Sequence, residues 1–124
     1  MSYQLKIDEA SGYLHVLVSG ANSGEVVRRY LHEVAEICGA RRCSALLLEE
    51  NLTGPAMNLA EIYSVVSEGS GYPLAHLLKV AFVDSNSEHP IMNMRFAETV
   101  ARNRGVNVRA FRTVPEARAW LLER

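Results

Sequence analysis

Tyr3, Leu5 and Ile7 alternate with Gln4 and Lys6 in YQLKI, and beyond the turn-prone DEASG a second alternation sets Leu14, Val16 and Val18 against Tyr13, His15 and Leu17. Two period-two runs around a glycine-containing turn predict a β-hairpin. The period then lengthens. Asn22 stands three residues before Glu25, as in a capping box, and Val27, Tyr30, Leu31, Val34 and Cys38 recur at helical intervals until Gly39 offers a stop. SALLLE, residues 44–49, is almost continuously apolar, the pattern of a strand covered on both faces. Asn58 and Glu61 repeat the capping spacing ahead of Leu59, Ile62, Tyr63 and Val66, with Gly69 at the end. LLKVAFVD, residues 77–84, predicts a second covered strand, and NSEHP leads into a helix that carries Phe96, Ala97, Val100 and Ala101 and stops at Gly105. VNVRAFR alternates as a strand, and Thr113 with Glu116 caps a last helix that buries Val114, Ala117, Trp120 and Leu121.

The predicted order is therefore ββαβαβαβα, in the α/β class. Such alternation requires right-handed crossovers and a mixed sheet of about five strands, parallel in its later members and packed with helices. There is no repeat, low-complexity stretch or linker, so residues 1–124 read as one domain. A chain of 124 residues buries a sizeable core without a staple.

The strand-to-helix segment LLLEENLTGPAMNLAEI, residues 46–62, is where the order places chemistry. Parallel strands end at one edge of the sheet, so the chain leaving Glu50 and the chain leaving Asp84 are expected side by side, each next to a helix N-terminus. Gly54 allows close backbone approach there, although Glu49, Glu50 and Asp84 repel an anion. Adjacent strand residues face apart, which argues against Glu49 and Glu50 acting as an acid–base pair. Glu50, Asp84 and His89 would offer hard oxygen and imidazole ligands if they meet, but they form no metal motif and read as charges solvated at strand ends. His15 and His32 read as surface histidines, and Cys38 and Cys43 as reduced thiols. GSG at 69–71 follows a helix and lacks a third glycine, so it is no dinucleotide fingerprint. No serine sits in a nucleophile elbow. These readings point to no catalytic residues, no metal and no cofactor.

The element order, together with LLLEENLTGPAMNLAEI and FAETVARNRGVNVRAFRTVPEARAWL, resembles the STAS family, the fold of bacterial anti-sigma-factor antagonists. The resemblance covers essentially the whole chain and implies a regulatory, protein-binding role. In antagonist-type members a phosphorylatable serine lies at the start of the helix after the third strand, in an Asp-Ser-Ser-Gly-like motif. The matching stretch here is Asn51-Leu52-Thr53-Gly54, so leucine stands at the acceptor position, and Thr53 is a disfavoured substitute. The sequence is closer to a divergent branch without that switch, related in shape to lipid-exchange domains.

Charge narrows the partners. Residues 95–124 carry seven arginines against three glutamates, while the whole chain has net charge -1 and pI about 6.4. That dipolar distribution suits association with a protein, or a self-complementary dimer, rather than nucleic acid, which calls for aromatic platforms and a high pI. With 48% hydrophobic and 22% charged residues the composition is that of a folded domain. No apolar run reaches membrane length and no signal-peptide pattern opens the chain, so a cytoplasmic location without membrane insertion is expected. The expected function is a non-enzymatic regulatory or scaffold domain that meets a protein partner through Asn51, Leu52, Thr53, Gly54, Met57 and Asn58 and the helix that follows. Leu52 and Met57 would be its exposed apolar anchors. The alternative is a small-molecule or lipid-binding domain with those two side chains at the mouth of a pocket.

Overall fold

Tyr3–Ala10 (β1) folds back on Tyr13–Ala21 (β2), with Ala10 opposite Tyr13 and Gly12 supplying the positive φ of 91° that the two-residue turn needs. The computed structural model describes residues 2–123. From β2 the chain runs through Gly24–Arg41 (α1), Ala45–Thr53 (β3), Leu59–Ser70 (α2), a 3₁₀ turn at Pro73–Leu77, Lys79–Asp84 (β4), Ile91–Asn103 (α3), Asn107–Phe111 (β5) and Val114–Leu121 (α4). The five strands form one sheet in the order β1-β2-β3-β4-β5, with β1 antiparallel to β2 and every later pairing parallel. This is the α/β arrangement that the alternation of periods predicts.

The sheet separates two layers of unequal depth. Leu14, Val16 and Val18 of β2, with Leu46, Leu48 and Leu52 of β3, pack under Val26, Val27, Tyr30, Val34 and Cys38 of α1 and Val65 of α2. Ala101 of α3 joins Val106 and Val108 on the same side, against Val80 and Phe82. The opposite face holds Ala45, Leu47, Ala81 and Val83 beneath Ala117 and Leu121 of α4. Each fully buried Val or Leu contributes roughly 1.5–3 kcal/mol of transfer free energy. The α1 layer, with the larger share of them, is therefore the main core.

The capping residues differ from expectation at α1. Ser23, not Asn22, is the N-cap: its hydroxyl accepts from the Val26 N–H at 3.1 Å, while Asn22 Nδ2 donates to the Pro55 carbonyl at 3.0 Å and so ties the helix entry to the 54–58 loop. Gly39 lies inside α1, and the left-handed cap falls on Arg42 at φ 54°, where its N–H reaches the Cys38 and Gly39 carbonyls. Asn58 and Thr113 cap α2 and α4 as their spacing predicts, accepting from the Glu61 and Glu116 N–H groups. α2 runs past Gly69 to Ser70, with Gly71 as its C-cap. Among the described residues, no helix is long and apolar enough to cross a membrane.

The larger departure is the length of β3. Because β2 continues to Ala21, the ladder carries on through Ser19–Asn51, Gly20–Leu52 and Ala21–Thr53, so the first three residues of the expected loop are strand. Period-two spacing then continues from Leu46, Leu48 and Glu50 to Leu52 and turns all four toward the α1 layer. Leu52 is 0% exposed and is a core residue, not a surface anchor.

Candidate functional site

Four polar side chains meet where β3 and β4 end beneath α1. Glu50 and Asp84 are register partners on neighbouring strands. Both point into the α1 layer, because that is the face on which Leu48 and Phe82 already lie. Glu50 is 7% and His89 4% exposed. The Tyr30 hydroxyl, held on the core face of α1, donates to Glu50 Oε2. His89 comes from the loop before α3 and places Nδ1 at 2.9 Å from Asp84 Oδ2 and Nε2 at 3.0 Å from the Gly54 carbonyl. A carbonyl oxygen only accepts, so the shorter contact at Nε2 favours a proton there, and with Asp84 accepting at the other nitrogen these two partners favour an imidazolium, while Asn86 Nδ2 lies 3.3 Å from Nε2.

These contacts also fasten the two loops together. Asn86 donates its side-chain N–H to the Leu52 carbonyl at 2.8 Å and its backbone N–H to Asp84 Oδ1 at 3.0 Å. Asn93 Nδ2 reaches the Met57 carbonyl at 3.2 Å, and Arg112 donates to the His89 carbonyl at 3.2 Å. Gly54 adopts φ 96°, a left-handed conformation that aims its carbonyl at His89 without a side-chain penalty.

Burial dominates the electrostatics. It pushes the Glu50 carboxyl from its ordinary 4.5 to about 7, opposed by the Tyr30 hydrogen bond and helped by the Asp84 charge. Burial and the adjoining Glu50 hold the Tyr30 phenol well above its usual value. Burial alone would pull His89 down, but its bonds to Asp84 and the Gly54 carbonyl, with the Asp84 and Glu50 charges, raise it. Glu50 can therefore accept or donate a proton near neutrality, with the hydrogen-bonded His89–Asp84 pair beside it.

The cluster closes one end of an apolar cavity of about 200 Å³ between the sheet and α1, α2 and α3. Leu48, Val65, Phe82, Met94 and Ala97 are among its walls. Val80 and Phe82 lie in the middle of β4 but stay only half-buried, since side chains do not fill the space above them. Exposed Ala56 and half-buried Met57 lie where the cavity meets the 54–58 loop.

The residues singled out by sequence divide sharply. Asn51, Thr53, Gly54 and Asn58 are exposed. The Thr53 hydroxyl donates to the Gly20 carbonyl at 3.2 Å, and Asn58 is engaged as a helix cap. Leu52 belongs to the core, and Met57 turns inward to pack on it and line the cavity. Glu50, Asp84 and His89 are not solvated strand ends; they converge in the buried cluster. Glu49 faces the other way and bonds half-buried His15 at 2.9 Å, so His15 is not a free surface histidine. Tyr30 was legible only as one more residue on an apolar helix stripe. Its signal is a hydroxyl at a fully buried helix position, which needs an acceptor opposite it, and Glu50 provides one.

Cys38 and Cys43 are free thiols, and burial pushes the Cys38 thiol up, the reverse of an activated nucleophile. Among the described residues, no group of three or more His, Cys, Asp or Glu side chains is arranged to hold a metal ion. The chain matches no protein-family model, and no curated protein matches it.

Proposed function

We propose that the domain binds a small, mainly apolar molecule in the cavity beneath α1, α2 and α3, oriented by the Tyr30–Glu50–Asp84–His89 cluster. The carrying observation is the pairing of an unfilled apolar space of about 200 Å³ with buried ionisable groups, hydrogen-bonded in two pairs, at one end. Apolar walls with a few convergent polar groups are the usual make-up of a small-molecule site, and the position at the carboxyl edge of parallel strands is where such sites form. The reading keeps the resemblance to the divergent STAS branch as a proposal, supported by the ββαβαβαβα order, and with it a non-enzymatic role and a cytoplasmic location.

A second reading, contact with a protein partner, is favoured by the exposed apolar side chains at the starts of α2 and α3: Leu59 is 46%, Ile91 40% and Met92 70% exposed. It moves the expected contact away from Leu52 and onto the helix starts that flank the 54–58 loop.

Native mass spectrometry of protein purified from its own host separates the two. A co-purifying small molecule that is absent from Ala97→Phe, whose ring occupies the cavity, supports the first reading. A co-purifying polypeptide lost in Leu59→Asp with Met92→Asp, and retained in Ala97→Phe, supports the second and defeats the first.

A further inference from the structure

The cavity wall has a one-sided charge chemistry. Among the described residues no lysine or arginine lines it, whereas Glu50, Asp84 and Glu98 do, and the His89 imidazole on the same wall is already paired with Asp84. Most of its polar atoms are already engaged. Asp84 accepts from Asn86 and His89 through its two oxygens, both His89 nitrogens have partners, and Glu98 Oε2 accepts from the Ala110 N–H at 2.6 Å. The Tyr30 hydroxyl is committed to Glu50 Oε2. Glu50 Oε1 has no hydrogen-bond partner among the described residues, in a residue only 7% exposed. Glu50 lines the cavity, so Oε1 is the carboxyl oxygen left for a ligand there.

Given that the cavity is a binding site as proposed above, we infer that its ligand is a small apolar alcohol whose hydroxyl meets Glu50 Oε1, and that carboxylate- and phosphate-headed molecules are excluded. A hydroxyl donates to the ionised carboxyl and accepts from the protonated one, so it suits both states of a group that titrates near neutrality. An anion finds no unpaired cation in the wall and meets like charge at Glu50 and Asp84. An ammonium would need itself and Glu50 both ionised in an apolar enclosure, where desolvation offsets the attraction. Size agrees. An apolar cavity of ~150 Å³ takes benzene, and about 200 Å³ leaves room for a six-membered ring with a one-carbon arm.

The test is isothermal titration of the intact chain, near neutral pH, with methylcyclohexane, cyclohexylmethanol, cyclohexylmethylamine and cyclohexanecarboxylate, repeated on Glu50→Gln. Cyclohexylmethanol should bind at least ~10-fold more tightly than the carboxylate, the scale set by leaving a buried charge unpaired. Glu50→Gln should narrow that gap by restoring affinity for the carboxylate. Equal affinity across the set, or the carboxylate or the amine binding tightest, overturns the inference and leaves the cavity reading standing, because the hydrocarbon still reports the apolar space. Binding of none of the compounds, methylcyclohexane included, defeats both. The wild-type ranking decides the question even if the variant does not fold.

Discussion

Glu49 and Glu50 are chemically identical neighbours on one strand, yet they belong to different worlds. Glu49 faces the α4 side, pairs with His15 at 2.9 Å, and both side chains keep 21% of their surface in solvent. Glu50 faces the α1 side, is held by a buried tyrosine, and titrates near 7. The pleat alone separates them. One face of the sheet, under three helices, encloses space and raises the energy of every charge placed there. The other, covered by α4 only along part of its width, lets water screen its ion pairs. The same residue type is thus a solvent-screened partner on one face and a candidate ligand contact on the other.

The sharpest way to break the comparison is to put a charge into the deep layer. Leu52→Asp places a carboxylate at a position with no exposure, within the apolar core, so it should cost more than ~4 kcal/mol and leave the chain largely unfolded. Circular dichroism with urea titration checks this, and a cooperative transition close to wild type would return Leu52 to the surface.

A smaller effect should appear in the pH profile. The folded pKa of Glu50 lies above its ordinary value, so the native state binds the extra proton between about 4.5 and 7, and stability present below that window is lost as pH rises through it. His89 is also raised, so its imidazolium adds stability that disappears above its ordinary 6.5, in the same direction. Denaturant midpoints should fall from pH 5 toward pH 8, with Glu50 accounting for up to ~3 kcal/mol. Glu50→Gln, which keeps an acceptor for Tyr30, should flatten the lower part of the slope. A wild-type midpoint that rises across the same interval would refute the placement of Glu50.

The smallest expected change belongs to the other face. Glu49→Gln weakens a part-exposed pair and should shift stability by less than ~1 kcal/mol at any pH between 5 and 8. Parallel denaturation curves for Glu49→Gln and Glu50→Gln would sharpen the contrast, and equal pH dependence in the two would erase it.

Much of the molecule was fixed by local pattern. Periods of two and 3.6, the Asn58 and Thr113 caps and the covered runs around Leu47 and Ala81 are short-range properties, since each element must present an apolar face at its own repeat and satisfy its own first N–H groups. They determine the ββαβαβαβα order and predict the side-by-side ends of β3 and β4. The opposite facing of Glu49 and Glu50 follows from the same pleat. Register between strands is not local. Where β3 ended depended on how far β2 ran beside it, and that ladder moved Leu52 from an imagined loop into the core. Ser23 rather than Asn22 caps α1, and Asn22 instead bonds Pro55, more than thirty residues away. Convergence is the least local property of all. Tyr30, Glu50, Asp84 and His89 come from a helix, two strands and a loop, and the cavity beside them is a space with no residues of its own. Tertiary packing therefore decided the site: burial, which sets both the bonding partners and the proton affinity of each group, is a property of everything around a residue and not of its neighbours in the chain.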